Sequence, residues 1–138
     1  MPLITINCIE GTFDSQQKQN LAASLTTAAL RIEALPNSSS VRQTCWIFIN
    51  EMPVHNVFRA AEETSSAILS MDINVFKGGL GTAQKGELIT EFTQIIHDAL
   101  HLPADIETPL YILIREVDQD NWGVCGKRIT LDDLRKLK

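Results

Sequence analysis

The 138-residue chain predicts an α+β fold, an α/β sandwich in which two tandem β-α-β units form a four-stranded mixed sheet with two helices on one face. Three observations carry that expectation. Runs of alternating or continuous apolar residues occur four times at strand length. Between the members of each pair lies a longer stretch with apolar residues at helical spacing. The pattern then returns 67 residues later: Gln17-Lys18 as Gln84-Lys85, Leu21 as Leu88, and Leu35-Pro36 as Leu102-Pro103. A constant offset of this kind marks duplication of a supersecondary unit.

Each element has a local reason. From Met1 to Ile9, Ile4, Ile6 and Cys8 alternate with Leu3, Thr5, Asn7 and Ile9, so both faces carry apolar groups, as in an internal strand. Pro2 is tolerated because the opening residue of a strand need not donate to the ladder. Beyond Gly11, Asp14 and Gln17 have capping-box spacing, and Leu21, Leu25, Ala28, Ala29 and Ile32 make one helical face that ends before Pro36. Asn37 to Ser40 reads as a polar loop, and Gln43 to Glu51 as the second strand. In the second unit, Met71 to Phe76 is a strand and Lys77 to Gly81 a turn. Thr82 is the expected N-cap of a helix carrying Leu88, Ile89, Phe92, Ile95, Ile96 and Leu100, and Leu110 to Glu116 closes the sheet. Residues 52 to 70 read as a hairpin and connector. The chain is thus one domain of two repeats, about 1–60 and 68–126, followed by a charged tail whose Asp132 to Lys136 reads as a short solvated helix.

Composition narrows the function classes. A net charge of −5 gives no basic footprint for nucleic acid, and no apolar run reaches membrane-spanning length, so a cytoplasmic location is expected. Cys8, Cys45 and Cys125 form neither a CxxC pair nor a zinc pattern. His97 and His101 have helical i, i+4 spacing but no further ligands in sequence, so no metal and no cofactor is expected. One sheet face would present Trp46, Phe48, Tyr111 and Leu113 with no third long helix to cover it, which points to a homo-oligomer.

The most chemical position is Pro2. Removal of Met1, which the small Pro2 side chain permits, would leave a secondary amine at the end of a buried strand. Burial and nearby cations would favour its neutral form and lower it from the ordinary range of about 7.7–8.0, giving a base near neutrality. Taken with Gly11 before a helix and the duplicated β-α-β unit, this arrangement resembles the tautomerase superfamily. Within it, the second unit is similar to 4-oxalocrotonate tautomerase in Gln84-Lys85 and in Glu116 followed by Trp122-Gly123-Val124-Cys125-Gly126. That last run also resembles malonate semialdehyde decarboxylase. Glu51-Met52-Pro53 with Asn56-Val57-Phe58 resembles cis-3-chloroacrylic acid dehalogenase.

The resemblance implies a homotrimer of fused units and a cofactor-independent tautomerase or isomerase. Pro2 would be the general base, acting on a small 2-oxo or enol carboxylic acid. A family arginine after the turn glycine falls on Thr12 and Leu80, so both copies are lost, whereas another falls on Lys77 and keeps a cation. The water-activating histidine and acid of the dehalogenase and decarboxylase fall on Ala29 and Ser40. Lys77 is therefore the leading substrate-binding residue. Arg115, on the parity of Tyr111 and Leu113, Trp122 and Arg128 are further candidates, with Lys127 and Arg59 weaker ones. Two alternatives remain: a hydratase, dehalogenase or decarboxylase with Pro2 as acid, and a non-catalytic trimeric binding protein.

Overall fold

A computed structural model describes residues 2–63 and 67–137. Met1, Thr64 to Ser66 and Lys138 lie outside the described residues, and so do the expectation for Met1 and part of the connector. The first unit comprises β1 (Leu3–Ile9), α1 (Ser15–Ile32), a helical turn α2 (Ser39–Arg42) and β2 (Trp46–Met52). A hairpin of β3 (Phe58–Arg59) and β4 (Glu62–Glu63) follows. The second unit comprises β5 (Leu69–Phe76), α3 (Thr82–Ala99) and β6 (Leu110–Val117), then a hairpin of β7 (Gly123–Val124) and β8 (Lys127–Arg128), and α4 (Leu131–Lys136).

The sheet order is β2-β1-β5-β6. Each unit contributes a parallel pair, β1 with β2 and β5 with β6, and the units meet in the antiparallel pair β1–β5. Thr5 stands opposite Asp72 at the middle of that seam, 67 residues away, so a pseudo-two-fold axis passes between them. Ile4, Ile6 and Cys8 of β1 and Met71, Ile73 and Val75 of β5 point to one side, where Leu21, Leu25 and Ala29 of α1 and Leu88, Phe92 and Ile96 of α3 bury them. Period two on the strands and 3.6 on the helices thus converge on one core.

The repeat is deeper than the sequence matches alone reveal. Gly11 and Gly78 both turn strand into helix with φ near +80°, where a side chain would be strained. Both long helices close in a Schellman motif: Leu35 N–H bonds Leu30 C=O at 2.9 Å, Leu102 N–H bonds His97 C=O at 3.3 Å, and Ala34 and His101 take positive φ. The hairpins repeat too, at an offset of 65, with Ala60-Ala61 and Cys125-Gly126 both at positive φ, as a tight turn with right-handed strand twist demands.

Three sequence expectations need correction. Gly81, not Thr82, is the N-cap of α3; its N–H donates to Gln84 Oε1 at 2.9 Å, and Thr82 is the first helical residue. The loop at 37–40 becomes the short helix α2 because Ser38 accepts from Val41 N–H and Val41 is buried, so β2 begins only at Trp46. The tail helix is not merely solvated. Leu131 and Leu134 are buried against Leu30, Val41, Phe76 and Trp122 in a second apolar cluster at the end of the sheet.

Each unit also completes the other. Gln17 Nε2 donates to Ala99 C=O at 3.0 Å and Gln84 Nε2 to Ile32 C=O at 3.1 Å, so each helix start satisfies an orphan carbonyl at the other helix's end. Gln84→Ala removes two such hydrogen bonds, each worth about 0.5–1.5 kcal/mol. Urea denaturation should show a lower midpoint with an unchanged slope.

Candidate active site

Pro2 is buried at the opening of β1. The β1–β2 register pairs Leu3 with Trp46, which sets Pro2 beside Cys45, and the β1–β5 register sets it beside Val75. A cleft of about 280 Å³ begins at the next residue, lined by Leu3, Thr44, Trp46, Asn74, Val117 and Asn121 to Val124. Its far wall is Trp122, only 8% exposed, whose ring lies 4.5 Å from that of Phe76. The Trp122 backbone is fixed at both groups: its N–H donates to Gln119 C=O and its C=O accepts from Ile129 N–H. The cleft is therefore a mostly apolar slot with Asn74, Asn121 and Thr44 as its polar side chains. Water exclusion by such walls strengthens any charge interaction inside.

The other predicted residues divide by position. Lys77 lies beyond the cleft, in a shallow depression with Asp118 to Asn121, and Asn121 is common to both. Its Nζ is 3.1 Å from Asp118 Oδ1. Arg115 is not in the cleft lining, although the β5–β6 register sets it beside Asn74, which is; its guanidinium pairs with Asp72 of that neighbouring strand. Arg128 projects from the β7–β8 hairpin and pairs with Asp120 at 2.5 Å. Lys127 is exposed in the same hairpin, and Arg59 borders a cleft at the opposite end of the sheet. Of the predicted residues, Trp122 lines the cleft, Pro2 precedes its first lining residue, Lys77 lies on its margin, and Arg115 and Arg128 are not in its lining.

The substituted positions have structural roles. Thr12 Oγ1 donates to Ile9 C=O at 2.6 Å within the turn, and Leu80 is buried in the main core. His97 Nδ1 lies 2.8 Å from Thr108 Oγ1. Among the described residues, no group of three or more His, Cys, Asp or Glu is placed to hold a metal ion, and no helix is long and apolar enough to cross a membrane.

Sequence reasoning missed Glu33. It is the C-cap of α1, only 5% exposed, between buried Ile32 and Leu35. Burial pushes its carboxyl up, while the positive charge of the chain's amino terminus draws it down. Burial also raises the Cys45 thiol, partly offset by a hydrogen bond involving Thr26, and the Glu33 charge raises it further. The available signal was an acid in the apolar end of a helix whose repeat partner, Leu100, is apolar.

The pseudo-axis produces a second cleft at the other end of the sheet, about 540 Å³, with Asn7, Met52, Val57, Phe58 and Ser70 in place of Asn74, Val117, Trp122, Gly123 and Leu3. There the strand opens on Leu69, where β1 has Pro2. The second cleft has Pro109 in its wall, but only the first unit has an imino acid at the opening of its inner strand.

A family model described as tautomerase enzyme matches residues 2–65 and 71–132, both halves of the duplication. The chain belongs to the tautomerase family. One relative is "Probable tautomerase K2" of Dickeya dadantii (strain 3937), 33% identical over 60 residues, which are 44% of this chain and 85% of that protein. Among solved structures, N1, a member of the cis-3-chloroacrylic acid dehalogenase family, superposes with a TM-score of 0.78 at 20% identity, covering 92% of this chain and 82% of its own. The wild-type asymmetric trimer of F6 fused 4-OT gives 0.76 at 21% identity, covering 91% and 94%. FG41 malonate semialdehyde decarboxylase gives 0.65 at 13%, covering 88% and 87%. At these identities the neighbours establish the fused tautomerase fold and not a reaction.

Trp122→Ala strips the cleft of its wall and Phe76 of its ring partner. Loss of a buried aromatic costs about 3–5 kcal/mol. Denaturant unfolding of the variant, read by far-ultraviolet circular dichroism, should show a loss in that range.

Proposed function

We propose that this tautomerase-family protein is a cofactor-independent isomerase that uses Pro2, freed by removal of Met1, as general base on a small 2-oxo or enol carboxylic acid. The carrying observation is the contrast between two clefts related by the pseudo-axis: one begins next to a buried strand-opening proline and ends on Trp122, and the other begins at Leu69 and ends on Val57. The neutral amine takes a proton from a carbon next to the carbonyl and returns it at another position of the dienolate. A positioned proton-transfer group contributes about 10²–10⁴-fold, and the rest must come from electrostatic stabilisation of the dienolate. Asn74 and Asn121 are the amide donors available in the cleft, and Lys77 shares a depression with Asn121 at its margin.

A second reading has its own observation. The buried Glu33 carboxylate at the end of α1 would hold the Pro2 amine protonated, the form required of an acid in hydratase, dehalogenase or decarboxylase chemistry. Solved neighbours include a protein of the dehalogenase family and a decarboxylase. Activity against pH separates the two. For a base, kcat/KM rises with pH as the amine loses its proton; for an acid, it falls over the same range.

The assembly follows from the uncovered sheet face. Tyr111 is 80% exposed, and Trp46, Phe48 and Leu113 each about half exposed, a patch that a monomer would leave in water. Burying it between copies supports a homotrimer, the state named for the fused 4-OT neighbour. Sedimentation at micromolar concentration should give a trimer, and a monodisperse monomer would rule it out.

Two further outcomes are expected. Pro2→Ala should lose much of the rate while keeping a primary amine in place. A preparation retaining Met1 should lose more, since the proline nitrogen is then an amide; equal activity of processed and unprocessed chains would remove Pro2 from the mechanism. Asp118→Asn releases Lys77 from its carboxylate and should lower KM for a carboxylate substrate. Lys77→Ala in the same background should reverse that gain, with each measured by steady-state kinetics.

A further inference from the structure

We infer that Glu33 is a positioning residue, whose carboxylate lies against the Pro2 amine of the processed chain, orients it and stabilises its protonated form. This deepens the proposed use of Pro2 and rests on it. A carboxylate is almost never fully buried unless it is paired. Glu33 is the one charged side chain among the described residues that is more than nine-tenths buried. Its backbone has no latitude, because it is the C-cap of a Schellman motif in which Ala34 N–H bonds Arg31 C=O at 3.1 Å and Leu35 N–H bonds Leu30 C=O.

Three elements bring it to the proline. Pro2 opens β1, the sheet register places Cys45 of β2 beside it, and the Cys45 thiol lies within range of the Glu33 charge. The positive amino group that acts on Glu33 is that of the unprocessed chain, one residue before Pro2, and removal of Met1 passes that role to the Pro2 amine. Among the described residues, other charged groups toward this end have partners of their own. Arg42 of α2 acts on Cys45 and bonds Asn37 and Thr27. Lys77 pairs with Asp118, and Lys85 with Glu116 at 3.1 Å.

The duplication supplies an internal control. Pro2 and Glu33 correspond to Leu69 and Leu100. Leu100 is the C-cap of α3 with the same backbone conformation, and its N–H bonds Ile96 C=O just as Glu33 N–H bonds Ala29 C=O. The helix end therefore does not require an acid. The unit whose strand opens on proline has the carboxylate, and the unit whose strand opens on leucine has an apolar side chain. The chemical consequence is direct: when Pro2 takes up the substrate's proton, the carboxylate stabilises the ammonium so formed, and it disfavours loss of that proton to solvent.

The test is nuclear magnetic resonance on processed protein labelled with 15N-proline, following Pro2 through a pH titration in wild type and in Glu33→Gln. Removing an opposite charge at contact distance should move the Pro2 titration down by about 1–3 pH units. The pH limb of kcat/KM should move with it, an effect that a merely structural role of Glu33 would not produce. An unchanged Pro2 titration in folded Glu33→Gln overturns the inference. Should that variant not fold, the wild-type Glu33 carboxyl 13C signal decides: it should show a second inflection at the pH where Pro2 titrates, and its absence overturns the pairing. A shifted titration together with full activity of Pro2→Ala would keep the pairing and reject the catalytic role of Pro2. An unmoved titration with an inactive Pro2→Ala would do the reverse.

Discussion

The structure depends on one seam, the antiparallel pairing of β1 with β5. Each β-α-β unit alone is a parallel strand pair with one helix, too narrow to shield both the strand and the helix face from water. Joining them edge to edge across Thr5 and Asp72 places α1 and α3 side by side and antiparallel, so that Gln17 and Gln84 each close the opposite helix. Arg31 of α1 spans the same boundary to Glu87 and Glu91 of α3. These exposed ion pairs add little stability, and the buried carbonyls satisfied by glutamine add more. The seam also sends the two strand openings to opposite ends of the sheet, which creates two clefts rather than one.

Duplication then leaves each cleft free to diverge. One unit has Pro2 and the buried Glu33 where the other has Leu69 and Leu100, apolar at both positions. Trp122 and Val57 make the same comparison for the cleft wall, since both follow a 3-10 turn at the exit of an outer strand. The pattern is what one expects if a single working site per chain suffices and the second copy is released to serve the core.

The electrostatics around the Trp122 cleft are more restrained than the sequence alone implies. Lys77, Arg115 and Arg128 are each held by an aspartate of the same chain. The Lys77 and Arg128 pairs are largely exposed, so they are weak and exchangeable, whereas Asp72 in the Arg115 pair is three-quarters buried. Glu116, which receives Lys85 and the Gly78 N–H, titrates below its ordinary range for those reasons and remains ionised beside the turn. The outcome is an apolar slot bordered by compensated charge.

Sequence by itself determined the sheet, both long helices, the capping box at Asp14, the turn glycines and the duplication, because each rests on local periodicity or on a backbone conformation that few residues tolerate. It also singled out Pro2 and Trp122. What it could not determine depends on which side chains meet across distant segments. The helical turn at 39–42 and the packing of α4 arise because Val41, Leu131 and Leu134 find apolar partners on Phe76 and Trp122, contacts that no local pattern encodes. The pairing of the candidate cations follows from Asp118, Asp72 and Asp120 being brought within reach by the fold. Glu33 is the sharpest case. In the sequence it is an acid near the end of a helix, where exposure is the ordinary outcome; only the tertiary packing around the closing turn of α1 buries its carboxyl.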